Sequence, residues 1–322
     1  MSLLKLRLSM LGTLALIIGV STLFFAVILS LIGSFNLVAL ISMVVFFNIV
    51  QWLIAPYIID SIYRVREVKE TENPRLHAMV EKLSRKMGIK KPRLMIADIP
   101  IPNAFAYGSP IAGNRVAVTK GLLQELEEEE VEAVIGHEFG HIKHRDVQVM
   151  MFASVLPAIF YYIALSFMWS GMYRGRDRDQ GGAVLIGMAA MLVYWILTFL
   201  VLGLSRLREY YADRESAMNV EDGARKLSEA LAKIVSSTSR IKLARGMMGG
   251  TTGFSGFKTL FIEDPDASVN EQVALSRMMR VSSDQKLVED LLKRKLTFMD
   301  RIVELFSTHP NIVKRLRALQ NL

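Results

Sequence analysis

Three stretches of the chain carry no Asp, Glu, Lys or Arg: 8–59, 147–173 and 180–205. A membrane-crossing helix needs about 20 apolar residues. The first stretch is therefore long enough for two crossings, and each of the others for one. Gly33, Ser34 and Asn36 mark a tight connection inside the first stretch. The pattern predicts membrane helices at 10–32, 37–59, 148–172 and 183–204. The first apolar run far exceeds the ~7–15 residues of a cleaved signal's core, so it reads as an anchor that stays. The polar stretches follow other periods. Leu76, Met79, Val80, Leu83 and Met87 recur at helical spacing before Gly88, which predicts a helix over 73–87. Short strands are expected at 93–98 and 115–119. Pro100 and Pro102 confine the segment between them to a sheet edge, and Ala112-Gly113-Asn114 reads as a hairpin turn. Helical patterns follow from Lys120 and at 222–242, 285–306 and 311–319, with a Gly- and Met-rich loop at 245–257. The expected organisation is a transmembrane hairpin (1–59), a polar segment (60–146), a second hairpin (147–205) and a second polar segment (206–322). The fold class is a mainly α membrane protein with a small β-sheet.

Composition narrows the function. Hydrophobic residues make up 52% of the chain, and there is no cysteine. A disulfide scaffold, a Cys-ligated metal site and a thiol nucleophile are thereby excluded. The net charge is +8. Its Lys and Arg flank the spans and show no aromatic interleaving, so they read as lipid-facing charge and nucleic acid is not an expected partner. Lys5, Arg7, Arg64, Arg66, Lys69, Lys143, Arg145, Arg206, Arg208 and Arg214 fall on one side of a four-helix zigzag. The positive-inside rule makes that side cytoplasmic, against the dissent of Arg174, Arg176 and Arg178. The expected location is the cell membrane, multi-pass, with both polar segments in the cytoplasm.

One run carries chemistry: Gly136-His137-Glu138-Phe139-Gly140-His141. His137 and His141 are four apart and share a helix face, about 5–6 Å apart at Cβ, so two imidazoles can close on one metal. Glu138 can reach water there without being a ligand. This is the arrangement of zinc hydrolases, with Glu as general base. The bland alternative is a satisfied hydrogen-bond cluster. A hydrolytic zinc site needs a third protein ligand, and Glu209 and Asp213 offer one at i, i+4. One of the two can ligate while the other holds an imidazole N–H. The alternative is a salt bridge with Arg208 or Arg214. An antiparallel pair of spans between the two motifs returns the chain to the side it left.

His-Glu-Phe-Gly-His, Glu209-Tyr210-Tyr211-Ala212-Asp213 and Ser307-Thr308-His309-Pro310 together resemble the HtpX-type membrane zinc endopeptidases, relatives of the CAAX prenyl endopeptidases. The resemblance runs through nearly the whole chain. It implies a gluzincin-like protease domain holding one Zn2+ by His137, His141 and Glu209, with Glu138 as base and Asp213 supporting a ligand. It implies that His309 and Arg315 approach the reacting carbonyl, although His309 also suits a helix cap. Asn103, Ala104, Phe105 and Ala106 resemble the edge strand that holds a protein or peptide substrate by strand addition. The implied activity is cleavage of membrane or misfolded proteins at the cytoplasmic face, as in protein quality control. A prenyl-protein processing peptidase and a catalytically silent membrane scaffold are the rival readings.

Overall fold

The computed structural model describes residues 37–173, 180–247 and 284–322. The span expected at 10–32, its turn at 33–36, residues 174–179 and residues 248–257 of the loop expected at 245–257 lie outside the described residues, and residues 245–247 of that loop are helical instead.

Three described helices are long and apolar enough to cross a membrane, with candidate spans at Ile41–Ile62, Asp146–Trp169 and Val184–Asn219. They belong to α1 (Leu37–Ile62), α5 (Asp146–Tyr173) and α6 (Gln180–Asn219), and α5 packs along α6. Large apolar side chains such as Val38, Phe46, Leu185 and Leu200 stand more than 60% exposed on them. In water that exposure would cost about 25 cal/mol per Å2, whereas in lipid it costs nothing. α6 continues past the apolar stretch expected at 183–204. It runs unbroken for 40 residues, about 60 Å at 1.5 Å per residue. Charges beginning at Arg206 mark where the apolar surface stops. They do not mark where the helix stops, because Arg, Leu and Glu are good helix formers.

The remaining elements pack at one end of these helices. They are β1 (Val65–Glu67), α2 (Pro74–Met87), β2 (Arg93–Ala97), β3 (Ala104–Ser109), β4 (Gly113–Thr119), α3 (Lys120–Glu125), α4 (Glu128–Lys143), α7 (Gly223–Met247), α8 (Asp284–Leu292), α9 (Phe298–Leu305) and α10 (Ile312–Leu319). The four strands lie in the order β1-β2-β4-β3, with β2 and β4 parallel and the outer pairs antiparallel. α2 starts at Asn73, whose side chain accepts the Leu76 N–H, and ends at Gly88 with φ +66°, a left-handed cap that favours glycine. The helix expected over 285–306 is two helices. Thr297 and Asp300 form a reciprocal capping box that starts α9 afresh. The core joins α2, β4, α4, α7 and α10 through Leu83, Val116, Ile135, Phe139, Leu231 and Leu316. One face of α4 belongs to this core, so the opposite face is held in a fixed direction.

Candidate active site

α4 opens with Glu128, Glu129 and Glu130 in its first turn, where carboxylates complement the helix dipole. Glu130 also accepts the Glu127 N–H at 2.8 Å and pairs with Lys233. Ile135 and Phe139 are fully buried on one side. His137, Glu138 and His141 occupy the other.

The two imidazoles meet at their Nε2 atoms, 3.2 Å apart. Glu209 of α6 completes the group, with Oε2 3.6 Å from His137 Nε2 and Oε1 3.5 Å from His141 Nε2. Donor atoms bonded to one ion at 2.0–2.1 Å in a tetrahedron stand about 3.3–3.4 Å apart. The observed spacing is that of three ligands converging on a shared point, and the three residues could hold a metal ion. Glu209 Oε2 is buried and has no hydrogen-bond partner among the described residues, a cost that a cation removes. The mixed imidazole and carboxylate donor set suits zinc.

Both rings are fixed from behind. His137 Nδ1 lies 2.9 Å from Asp213 Oδ1, and His141 Nδ1 lies 2.6 Å from Asp146 Oδ2. At His141 the carboxylate keeps the proton on Nδ1 and leaves the Nε2 lone pair facing the centre, while Asp213 stands against His137 Nδ1 as a close ion-pair contact. Burial acts to lower the His137 pKa, but the Asp213 and Glu209 carboxylates beside the ring outweigh it and raise it to about 9. Arg315 is completely buried and clasps Asp213 by Nε at 2.9 Å and Nη2 at 2.6 Å. Its Nη1 is 3.4 Å from Glu209 Oε2. The resemblance placed Arg315 at the reacting carbonyl, whereas the structure puts it behind the ligands. His309, from the loop before α10, brings Nε2 to 3.6 Å from Glu209 Oε1.

Glu138 is 3% exposed, and its Oε2 accepts the Ala106 N–H at 2.7 Å. That bond reveals the direction of the edge strand. The Asn103 carbonyl accepts from Thr119 N–H on the β4 side. In an antiparallel ladder the direction alternates, so Ala104, Ala106 and Gly108 turn their main-chain groups to the free edge. Of the four residues expected to hold substrate, Ala104 and Ala106 present that edge. Asn103 is committed to Thr119, and the Phe105 side chain is buried beside Tyr63 and Tyr107.

Several contributors were missing from the sequence reading. Arg208 does not pair with Glu209 or Asp213. It reaches across to Asp146 and to the His144 carbonyl, tying the end of α4 to α6. Asp146 follows His141 by five residues, off any i, i+4 pattern, which concealed it. Gly136 and Gly140 permit the approach of α6. A Cβ at Gly140 would lie 2.8 Å from Ala212 Cα, and one at Gly136 2.9 Å from Val220 Cγ2. His77 and His144 take no part, bonding to the Val68 carbonyl and to Glu215.

Comparison with known proteins agrees with this geometry. The family model described as Peptidase family M48 matches residues 70–322. The chain belongs to peptidase family M48. It is a metallopeptidase, and its long apolar helices mark it as a membrane protein. The protease HtpX homolog of Thermoplasma acidophilum is 38% identical over 288 residues, covering 89% of this chain and 86% of that one. The homolog of Methanothermobacter thermautotrophicus is 47% identical over 201 residues, covering 62% of this chain and 74% of its own. Among solved structures, the crystal structure of S. mikatae Ste24p matches with a TM-score of 0.56 at 18% identity. That match covers 98% of this chain and 66% of Ste24p, and shows a shared fold.

Proposed function

We propose that this M48 peptidase is a zinc-dependent endopeptidase of the cell membrane that cleaves membrane or misfolded proteins at the cytoplasmic face. The observation that carries the reading is the convergence of His137 Nε2, His141 Nε2 and Glu209 on one point, with the Glu138 carboxylate one residue from the first ligand. The excess of Lys and Arg beside the spans on the site's side supports the cytoplasmic orientation. His137, His141 and Glu209 hold the ion. Bound there, zinc supplies Lewis acidity toward water and the scissile carbonyl.

The chain's own groups supply the rest. Glu138 takes the proton of the attacking water and passes it to the leaving amine. Its carboxylate is held at the rim of β3 by the Ala106 amide. A substrate in extended form adds to the unpaired edge of β3 at Ala104, Gly108 and the Ala106 carbonyl, the Ala106 N–H being held by Glu138, and main-chain hydrogen bonds there give affinity with little demand on sequence. His309 donates to the developing oxyanion. Asp213, Asp146 and Arg315 are positioning residues, since each acts through a ligand.

The test separates base from ligand. Glu138→Gln keeps its metal and loses cleavage by about 10²–10⁴-fold, whereas Glu209→Ala loses metal. Cleavage by Glu138→Gln at the parent rate contradicts the mechanism, and parent metal content in Glu209→Ala removes Glu209 from the site.

A further inference from the structure

α9 has two faces, and apart from Phe306 at its end the fold engages chiefly the polar one. At 100° per residue, Leu305, Phe298, Ile302, Phe306, Met299 and Val303 share an arc of about 160°. Asp300, Arg301 and Glu304 lie opposite. The polar face is the one with protein partners. Glu304 pairs with Lys314 and accepts the Asn311 N–H at 3.3 Å, and Asp300 lies 3.5 Å from Arg294. Thr297 and Asp300 cap each other. No residue of α9 is buried. Phe298, Met299 and Leu305 are 75%, 56% and 52% exposed. This reverses the usual order for a helix in water, which buries its apolar face.

The placement of α9 explains the reversal. Phe306, at its C-terminal end, stacks edge-on against Phe199 with ring centroids 5.2 Å apart. Phe199 lies within the apolar part of α6, seven residues before Arg206, about 10 Å along the axis. Arg206, the first charge after the span, donates to the Glu304 carbonyl at 2.8 Å and the Ser307 carbonyl at 2.8 Å. The end of α9 is thus fixed at the level where α6 leaves its apolar environment. Exposed Lys293 and Lys295 stand just before the helix, as positive charge does beside helices that lie among lipid phosphates.

We propose that α9 lies in the membrane interface, with Phe298, Met299 and Leu305 inserted at the boundary of headgroups and acyl chains. The partner is the lipid surface itself, continuous with the lipid around α5 and α6. Helices of this kind sink about 5–10 Å into that boundary. The inference rests on the membrane spans and not on the peptidase reading. It gives the segment carrying His309 a lipid floor.

The chain has no cysteine, so single introduced cysteines report one position each. Phe298→Cys, Leu305→Cys, Arg301→Cys and Arg75→Cys variants of the full chain are labelled with an environment-sensitive dye. They are then reconstituted in vesicles of phosphatidylcholine and phosphatidylglycerol. Quenching by lipids carrying a nitroxide near the headgroup is compared with quenching by aqueous iodide. Phe46→Cys, on the outer face of α1, serves as the lipid control, and unchanged metal content verifies folding. Lipid quenching severalfold stronger at 298 and 305 than at 301 and 75, with iodide quenching in the reverse order, supports the proposal. Iodide quenching at 298 equal to that at 75 overturns it. Shielding of 298 from both quenchers also overturns it, because protein then covers the face, whether a second copy or residues 1–36 or 248–283 of this chain.

Discussion

Replacing Gly140 by alanine is a direct probe of how α6 delivers Glu209 to the two histidines. A Cβ at this position would lie 2.8 Å from Ala212 Cα and 3.2 Å from Ala212 Cβ. Ordinary carbon contacts need about 3.5–4.0 Å, so one helix must move by roughly 0.7–1.2 Å. Ala212 is backbone-anchored and adjoins Asp213, and Glu209 is one turn away, so the shift falls on the ligands themselves. Overpacking of this kind costs about 1–3 kcal/mol, and the better helix propensity of alanine returns about 1 kcal/mol. The net loss of stability is therefore small, on the order of 0–2 kcal/mol. The site is far less tolerant. Ligand distances must hold within about 0.2 Å, and a 1 Å misplacement can cost 10²-fold in rate. The variant is expected to melt near the parent temperature while losing metal and about 10²-fold in cleavage. Gly203→Ala, on the partner helix α6, is the control, since its added Cβ would meet nothing closer than Arg206 Nη2 at 3.6 Å. Thermal melting, metal content and peptide cleavage are measured on all three proteins. A Gly140→Ala enzyme with parent metal content and parent rate would refute the close-packing argument.

Asp146→Asn keeps the shape at His141 Nδ1 but removes the charge, and should weaken metal affinity about 10–100-fold; unchanged affinity by competition with a chelator would discount Asp146. Ala104→Pro deletes an outward N–H of β3 and should lower cleavage of unrelated peptides alike with metal retained. Equal cleavage in a folded variant would mean that substrate is held elsewhere. Because Asp213 and Glu209 raise His137 to about 9 in the absence of metal, metal must displace a proton below that pH. Affinity should rise about tenfold per pH unit up to 9 and then level off, with about one proton released on binding at pH 7 by calorimetry in two buffers. A flat affinity from pH 7 to 9 would contradict the pairing of His137 with Asp213.

The parts of the fold that were legible beforehand are those where one local signal dominates. Absence of charge marked α1, α5 and α6. Asn73 and Gly88 bounded α2, and the strands expected at 93–98 and 115–119 followed from their apolar runs, although β4 begins two residues earlier, at Gly113. The convergence of His137, His141 and Glu209 was legible because donors meant for one ion need fixed spacing. β1 was not, since Val65–Glu67 gains its strand character from pairing with β2. The break before α9 was hidden because apolar periodicity runs through it, and the Thr297–Asp300 capping box that starts the new helix lies within that pattern. The roles of Asp146 and Arg315 were out of reach for a related reason. Asp146 meets His141 around a helix end where Arg145 adopts φ +54°, and Arg315 joins Asp213 across 102 residues. Such pairs exist only once tertiary packing has set them.

The central claim is that His137, His141 and Glu209 hold a zinc ion that makes this chain a peptidase. The most direct measurement is metal analysis of the purified full chain alongside cleavage of casein, before and after chelation and on return of zinc. The account predicts one zinc per chain, loss of both metal and cleavage with chelator, and recovery of both on adding zinc. Cleavage that survives complete removal of metal would contradict it.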